Sequence, residues 1–226
     1  MRRKFIHETI DLGYSDLDAE TTSSGRLYRT PSGGLPSITT VLKILTEEHI
    51  QAWRNRVGEE EANKISYRAS TRGTAVHSII ENYIDNKEDY AEGFMPNIID
   101  NFRPMQKLLD TRIGKVYAQE APLYSDHLGV AGRVDCVAEF DGKLSIIDFK
   151  TSRKPKKPEW IENYYVQESA YAIMWEERTG IPITQLVTLI AVDDEEPQVF
   201  IEHRDNWTDK LLETINEYKR RKLFGR

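Results

Sequence analysis

Hydrophobic positions along the chain change period near its middle. Ser37 can cap a short helix whose apolar positions are Ile38, Val41, Leu42 and Leu45. Helical patterning continues over residues 47–57 and again over 59–86. In the second stretch Val76, Ile79, Ile80, Tyr83 and Ile84 recur at three- and four-residue spacing. Gly73 marks a kink or a close approach within it. One more helix is predicted over 97–111, interrupted near Pro104. The period then shortens to two, and residues 116–123, 130–140 and 144–150 read as consecutive strands. A helix over 159–178 follows, stopped by Gly180 and Pro182. Residues 183–192 and 198–203 read as two further strands. Residues 207–222 form an amphipathic helix with Leu211, Leu212, Ile215 and Tyr218 on its apolar stripe. Before all of these, residues 1–25 are polar and aperiodic and read as loosely structured. Residues 26–30 read as a short strand ended by the turn signal Pro31-Ser32-Gly33-Gly34.

A mostly helical first half followed by β-β-β-α-β-β-α predicts an α/β (α+β) fold, with a mixed sheet flanked by helices. At 226 residues the chain is expected to be one domain, 1–226, with a helical wall over 36–111 and an α/β core over 112–226. Charge adds one constraint. Thirty-one basic against 37 acidic side chains give −6, which argues against a generally basic nucleic-acid coat but leaves room for a local basic groove. The single cysteine, Cys136, excludes an internal disulfide and a four-cysteine cluster, and it fits a reducing compartment. The longest apolar run, 186–192, is far short of the roughly 20 residues a membrane helix needs, and no signal sequence is visible. A cytoplasmic location is therefore expected, the host cytoplasm if the chain is virus-encoded.

The chemistry is concentrated around Asp141-Gly142, a strong hairpin signal between two alternating runs. A two-residue turn pairs Phe140 with Lys143, so Asp135 opposes Asp148 and Arg133 opposes Lys150. All four then share one face. Opposed carboxylates repel, and a divalent cation between them removes the repulsion. Carboxylate oxygens suit hard ions such as Mg²⁺ or Mn²⁺. The same residues can also be read as a solvated face of Asp–Arg and Asp–Lys pairs, and a one-residue slip would separate the acids. A turn centred on Asp126-His127 would set Glu120 opposite Arg133 as an ion pair.

The stretch GRVDCVAEFDGKLSIIDFKTS resembles the core of the PD-(D/E)xK nuclease superfamily: an Asp, a hairpin, then Asp-x-Lys. Four further segments resemble the RecB-like branch, which includes mitochondrial and phage exonucleases. They are PSITTVL at 36–42, RGTAVHSIIE at 72–81, QEAPLY at 119–124 and QESAY at 167–171. The resemblance implies a restriction-endonuclease-like fold and a metal held by His77, Asp135 and Asp148, with the Phe149 carbonyl as a further ligand. It also implies that Lys150 assists the attacking water and that Glu120 lies at the site's edge. Gln167 and Tyr171 would hold the site or the DNA, and Thr151 would support it. Taken alone, a helical His77, with Glu81 on its face, or a Gln167–Tyr171 pair is more often structural.

Beyond Lys150, the cations Arg153, Lys154, Lys156 and Lys157 fall in a segment stiffened by Pro155 and Pro158. This segment is either a phosphate-tracking edge or a solvated loop. Arg72, Arg133 and the run Trp53-Arg54-Asn55-Arg56 could add phosphate contacts. Tyr67, Trp160, Tyr164 and Tyr165 could stack on splayed bases, although such aromatics are more often core. The function expected from the resemblance is an Mg²⁺- or Mn²⁺-dependent exonuclease without an iron–sulfur cluster. Its substrate would be DNA ends, single-stranded, in replication, repair or recombination. With no Walker A motif in the chain, any unwinding would come from a helicase or recombination partner. A structure-specific or restriction-like endonuclease, and a non-catalytic DNA-binding accessory module, are the alternatives.

Overall fold

The computed structural model describes residues 2–225. Three short antiparallel strands come first: β1 (Ala19–Thr22), β2 (Gly25–Thr30) and β3 (Gly33–Pro36). Four helices follow: α1 (Ile38–Leu42), α2 (Glu47–Val57), α3 (Glu59–Ile84) and α4 (Pro96–Arg112). The second half holds β4 (Ile113–Ser125), β5 (Val130–Phe140), β6 (Lys143–Ser152), α5 (Glu162–Thr179), β7 (Gln185–Val192), β8 (Gln198–His203) and α6 (Thr208–Leu223). The fold is mixed α/β, as the patterning predicts.

Strands β4 to β8 form one sheet in sequence order. Its pairings are antiparallel except β6 with β7, which run parallel and are joined through α5. Helices cover both faces. The predicted stripe of α3 (Val76, Ile79, Ile80, Tyr83, Ile84) packs with Phe102, Met105 and Leu109 of α4 onto Ile147, Phe149, Val187 and Leu189. On the other face Val166, Ala170 and Trp175 of α5, Ile38 and Val41 of α1, and Leu211 and Ile215 of α6 cover Val137, Ile146 and Leu186. Burial of each Val, Leu, Ile, Phe or Met side chain among these contributes about 1.5–3 kcal/mol. Cys136 is buried on the α3–α4 side. Ser37 caps α1 by accepting from the Thr40 amide at 3.0 Å. Among the described residues no helix is long and apolar enough to cross a membrane.

Three expectations are corrected. Of the stretch 1–25, residues 2–25 lie among the described residues and are not loose. The Glu8 amide donates to the Val116 carbonyl and the Val116 amide to the Ile6 carbonyl, both at 2.8 Å, so this segment lies along β4. Phe5 and Leu17 are buried, and Ala19–Thr22 forms β1. The polar pattern hid this because a few anchors hold the segment. Glycine-rich Gly33–Pro36 is a strand because its ladder to β2 needs only backbone. Finally, α4 is not interrupted at Pro104. The helix runs through it, and packing of Phe102, Met105 and Leu109 outweighs one missing amide.

Candidate metal centre at the β5–β6 fork

The β5–β6 hairpin has the register expected from its Asp141-Gly142 turn, from Phe140↔Lys143 to Cys136↔Ile147. Asp141 adopts φ 52° and Gly142 φ 76°, the left-handed backbone that an Asp-Gly turn tolerates. One position past Cys136↔Ile147 the ladder stops. There Oδ2 of Asp135 accepts the Phe149 amide at 2.8 Å, so a side chain takes a bond that the ladder no longer makes. The fork lets a third element in. His77 of α3 brings Nδ1 to 3.6 Å from Asp135 Oδ2 and sets its ring edge-on to Phe149, with centroids 6.3 Å apart.

Glu120 completes this group, and not in the way expected. The β4–β5 connection is longer than a two-residue turn, and Ser125 pairs with Val130 and Ala121 with Val134. The register moves by two, so Glu120 faces Asp135 rather than Arg133. The predicted ion pair is absent: an Arg133 guanidinium nitrogen donates to the Glu120 backbone carbonyl, and another pairs with Asp16. Glu120 itself has φ 47°, which costs a non-glycine residue about 1–3 kcal/mol. His77, Glu120 and Asp135 each offer a ligand atom within 4.8 Å of the others. Burial, then the charges of Asp135 and Glu81, pushes the Glu120 carboxyl up to about 7. Two carboxylates and an imidazole that crowd one another in this way have the donor chemistry of a divalent-cation site, and a bound cation would relieve the repulsion.

Asp148 lies outside that trio and is almost fully buried. Its Oδ2 pairs with Lys150 Nζ, and its Oδ1 accepts from Gln167 Nε2 at 3.1 Å. Burial raises the Asp148 carboxyl, Lys150 opposes this, and Asp135 adds to it, for a net rise. Burial lowers the Lys150 ammonium, but Asp148 and then Asp135 outweigh it, so its pKa is raised overall. Lys150 is therefore a fixed cation at neutral pH. It keeps 21% of its side-chain surface exposed, against 1% for Asp148, so the pair presents its positive end to solvent. Tyr164 sets its ring 5.1 Å from Nζ, which assigns that aromatic to the lysine rather than to a base.

Other predicted residues take more structural places. Arg72 pairs with Asp193, to which Asn101 also donates at 3.1 Å, tying α3 and α4 to the end of β7. Thr151 faces Gly73 of α3, where an added Cβ would sit 3.7 Å from its hydroxyl; the glycine marks an approach, and α3 continues through it. Tyr171 is buried against Gly132. Arg153 and Lys154 are exposed. Tyr165 is buried, Tyr67 and Trp160 are exposed, and Arg54 pairs with Glu59.

Glu168 is the residue that sequence reasoning missed. It is fully buried on α5, accepts from the Thr188 hydroxyl, and its pKa is raised well above the carboxylate range by burial and then by Asp148. Thr188 is the register partner of Asp148 on β7, so this acid lies behind the Asp148–Lys150 pair.

With this geometry in view, comparison with known proteins is decisive at one level. Residues 47–224 match the PD-(D/E)XK nuclease superfamily, and the chain belongs to that superfamily. It is similar to mitochondrial genome maintenance exonuclease 1 of Mus musculus, 30% identical over 130 residues, covering 54% of this chain and 38% of the relative. The Xenopus tropicalis protein of the same name is 26% identical over 212 residues, covering 84% of this chain and 59% of the relative. The chain thus spans less than two thirds of the length of these relatives. A solved Eubacterium rectale protein described as a candidate exonuclease aligns with a TM-score of 0.45 at 17% identity, covering 69% of this chain and 66% of that one.

Proposed function

We propose that the chain is a divalent-metal-dependent deoxyribonuclease that removes nucleotides from single-stranded DNA ends, folded as one domain over 1–226. The observation that carries this reading is the convergence of His77, Glu120 and Asp135 beside the Asp148–Lys150 pair, in a chain of the PD-(D/E)XK superfamily. The similarity to named exonucleases supports the exonuclease part.

His77, Glu120 and Asp135 would hold the cation, and the resemblance adds Asp148 and the Phe149 carbonyl as further donors. When bound, Mg²⁺ or Mn²⁺ would polarise the scissile phosphate and acidify a nearby water. The chain's own groups do the rest. Asp135 spans the fork and fixes its width through the Phe149 amide. Gln167 and Lys150 hold Asp148 in one rotamer. The exposed end of Lys150, positive at neutral pH, would stabilise negative charge that grows on a phosphate during cleavage. Arg153, Lys154, Lys156 and Lys157 attract the backbone that leads into the site.

End-labelled linear and circular single-stranded DNA, incubated with Mg²⁺ or Mn²⁺, test the reading. Linear strands are shortened from an end and circles survive. Rapid cutting of circles would instead make the protein an endonuclease. No cleavage, with no metal-induced stabilisation, would make it a binding module. Wild-type activity in Asp148→Ala or Lys150→Ala would overturn the assigned chemistry.

A further inference from the structure

The loop that follows β6 is held far more firmly than a solvated connection requires. The Ser152 hydroxyl donates to the Lys154 carbonyl at 2.6 Å. Gln198 of β8 grips the Lys156 backbone from both sides, accepting its amide at 2.6 Å and donating to its carbonyl at 2.9 Å. Pro155 and Pro158 remove further freedom. At the far end, Ile161 is fully buried with Tyr165, Ile190 and Val192. That anchor turns its neighbour outward. Trp160 closes a short 3-10 turn over Pro158–Trp160 and is 59% exposed. The Lys157 ammonium lies 5.2 Å from the Trp160 ring centroid. Arg153, Lys154, Lys156 and Lys157 make no ion pair among the described residues.

A large aromatic surface is stable in water only at a cost, and a tryptophan is usually well covered. Here the core beside it takes Ile161 and leaves the indole out, on a pinned loop rimmed by free cations. The turn also leads to the reacting end of the protein. The Tyr164 amide donates to the Ile161 carbonyl at 2.8 Å, and the Tyr164 ring lies against Lys150.

We propose that Trp160 is a nucleobase-stacking platform, with Lys157 and its neighbouring cations taking the adjacent phosphates. This inference rests on the nuclease reading for its substrate and deepens it. Stacking on an exposed indole needs a base turned out of a helix, which an unpaired strand supplies and an intact duplex does not. A loop already held in shape loses little freedom on binding. The platform thereby favours single-stranded substrate, independently of the metal centre.

The test is binding in EDTA, where metal-dependent cleavage is suppressed, using a short oligothymidylate, the same oligomer with abasic sugars, and a blunt duplex. Oligothymidylate quenches the tryptophan emission of the wild type, and the duplex does not. Trp160→Phe loses the quenching but binds within about threefold of wild type. Trp160→Ala binds oligothymidylate roughly tenfold more weakly, the size carried by base–aromatic stacking, while its affinity for the abasic oligomer is unchanged. Equal affinity of Trp160→Ala and wild type for oligothymidylate overturns the platform. So does an equal loss on the abasic oligomer, which would report loop damage. Cleavage of linear strands by wild type with Mg²⁺ is scored separately. A protein that stacks but never cleaves loses the nuclease reading and keeps the platform; the converse result does the opposite.

Discussion

Asp135 Oδ2 accepts the Phe149 amide at 2.8 Å, two residues beyond the last position at which β6 pairs with β5. One carboxylate thus closes the fork of a hairpin and also faces His77 and Glu120. The two roles separate by substitution. Asp135→Asn keeps an acceptor for the amide and removes a charge. Asp135→Ala leaves that amide without its partner, a loss of about 1–3 kcal/mol for a buried group. Both variants should lose metal-induced stabilisation and cleavage, and only Asp135→Ala should unfold markedly earlier in urea without metal. Equal urea midpoints would mean that the side chain does not hold the fork.

Lys150 and Asp148 form a pair whose acidic end is buried. Removing one partner of a buried pair costs about 3–5 kcal/mol, toward the lower end here because the ammonium reaches solvent. Lys150→Met should be destabilised by about 3 kcal/mol and lose cleavage. Lys150→Met combined with Asp148→Asn should recover much of the stability and none of the activity. Denaturant titration with a cleavage assay reads both. If the double variant is no more stable than the single one, the pair is not what holds these side chains.

Metal affinity should depend on pH through Glu120, whose carboxyl is raised from 4.5 to about 7. Its folded-state pKa lies above its unfolded value, so the stability it contributes is full below about pH 4.5 and is lost as pH rises through about 7. A cation prefers the deprotonated form and restores what is lost. The Mg²⁺-induced rise in melting temperature should therefore grow between pH 5 and 7.5, and Glu120→Gln should flatten that growth. A wild-type shift that is the same at both ends of the range would remove Glu120 from the cation site.

Glu168 supplies a second pH dependence, of the same sign. Burial and then Asp148 raise its pKa, so the stability it contributes is lost as pH rises through its folded-state pKa. Glu168→Gln keeps an acceptor for the Thr188 hydroxyl and cannot ionise. Melting temperatures measured across pH should show the variant gaining on wild type toward alkaline pH. Parallel curves would count against a buried acid of raised pKa at this position.

Gly132 is predicted to tolerate no side chain. An added Cβ would lie 2.7 Å from Tyr171 Cε1 and 3.2 Å from Ile38 Cγ2. Overpacking of this kind costs about 1–3 kcal/mol. Gly132→Ala should lower stability by that amount, and pairing it with Tyr171→Phe should recover little, because the ring carbon is the obstacle. Calorimetry of the two variants is sufficient.

Local chemistry written into consecutive residues was legible without coordinates. The Asp-Gly turn dictated the β5–β6 register as far as Cys136↔Ile147, because a two-residue turn leaves no freedom in the count. The α3 stripe and the strand order followed from periodicity. The turn-based pairing of Glu120 with Arg133 failed because a longer β4–β5 connection shifts the register by two, and connection length does not announce itself in side-chain pattern, whereas the resemblance had set Glu120 at the site's edge. The docking of residues 2–25 was missed because backbone bonds to Val116 and Tyr117 and a few apolar anchors, Phe5 and Leu17, hold it.

The amino-acid order by itself determined the α/β class, the hairpin and the gathering of Asp135, Asp148 and Lys150 on that one hairpin. Tertiary structure alone decided which groups meet. It brought His77 in from α3 through the fork and set Glu120 against Asp135. It gave Asp148 to Lys150 and Gln167, and it buried Glu168 behind them. The physical reason is range. Turn and strand periods act between neighbours, whereas burial and charge coupling arise only where packing brings distant segments together.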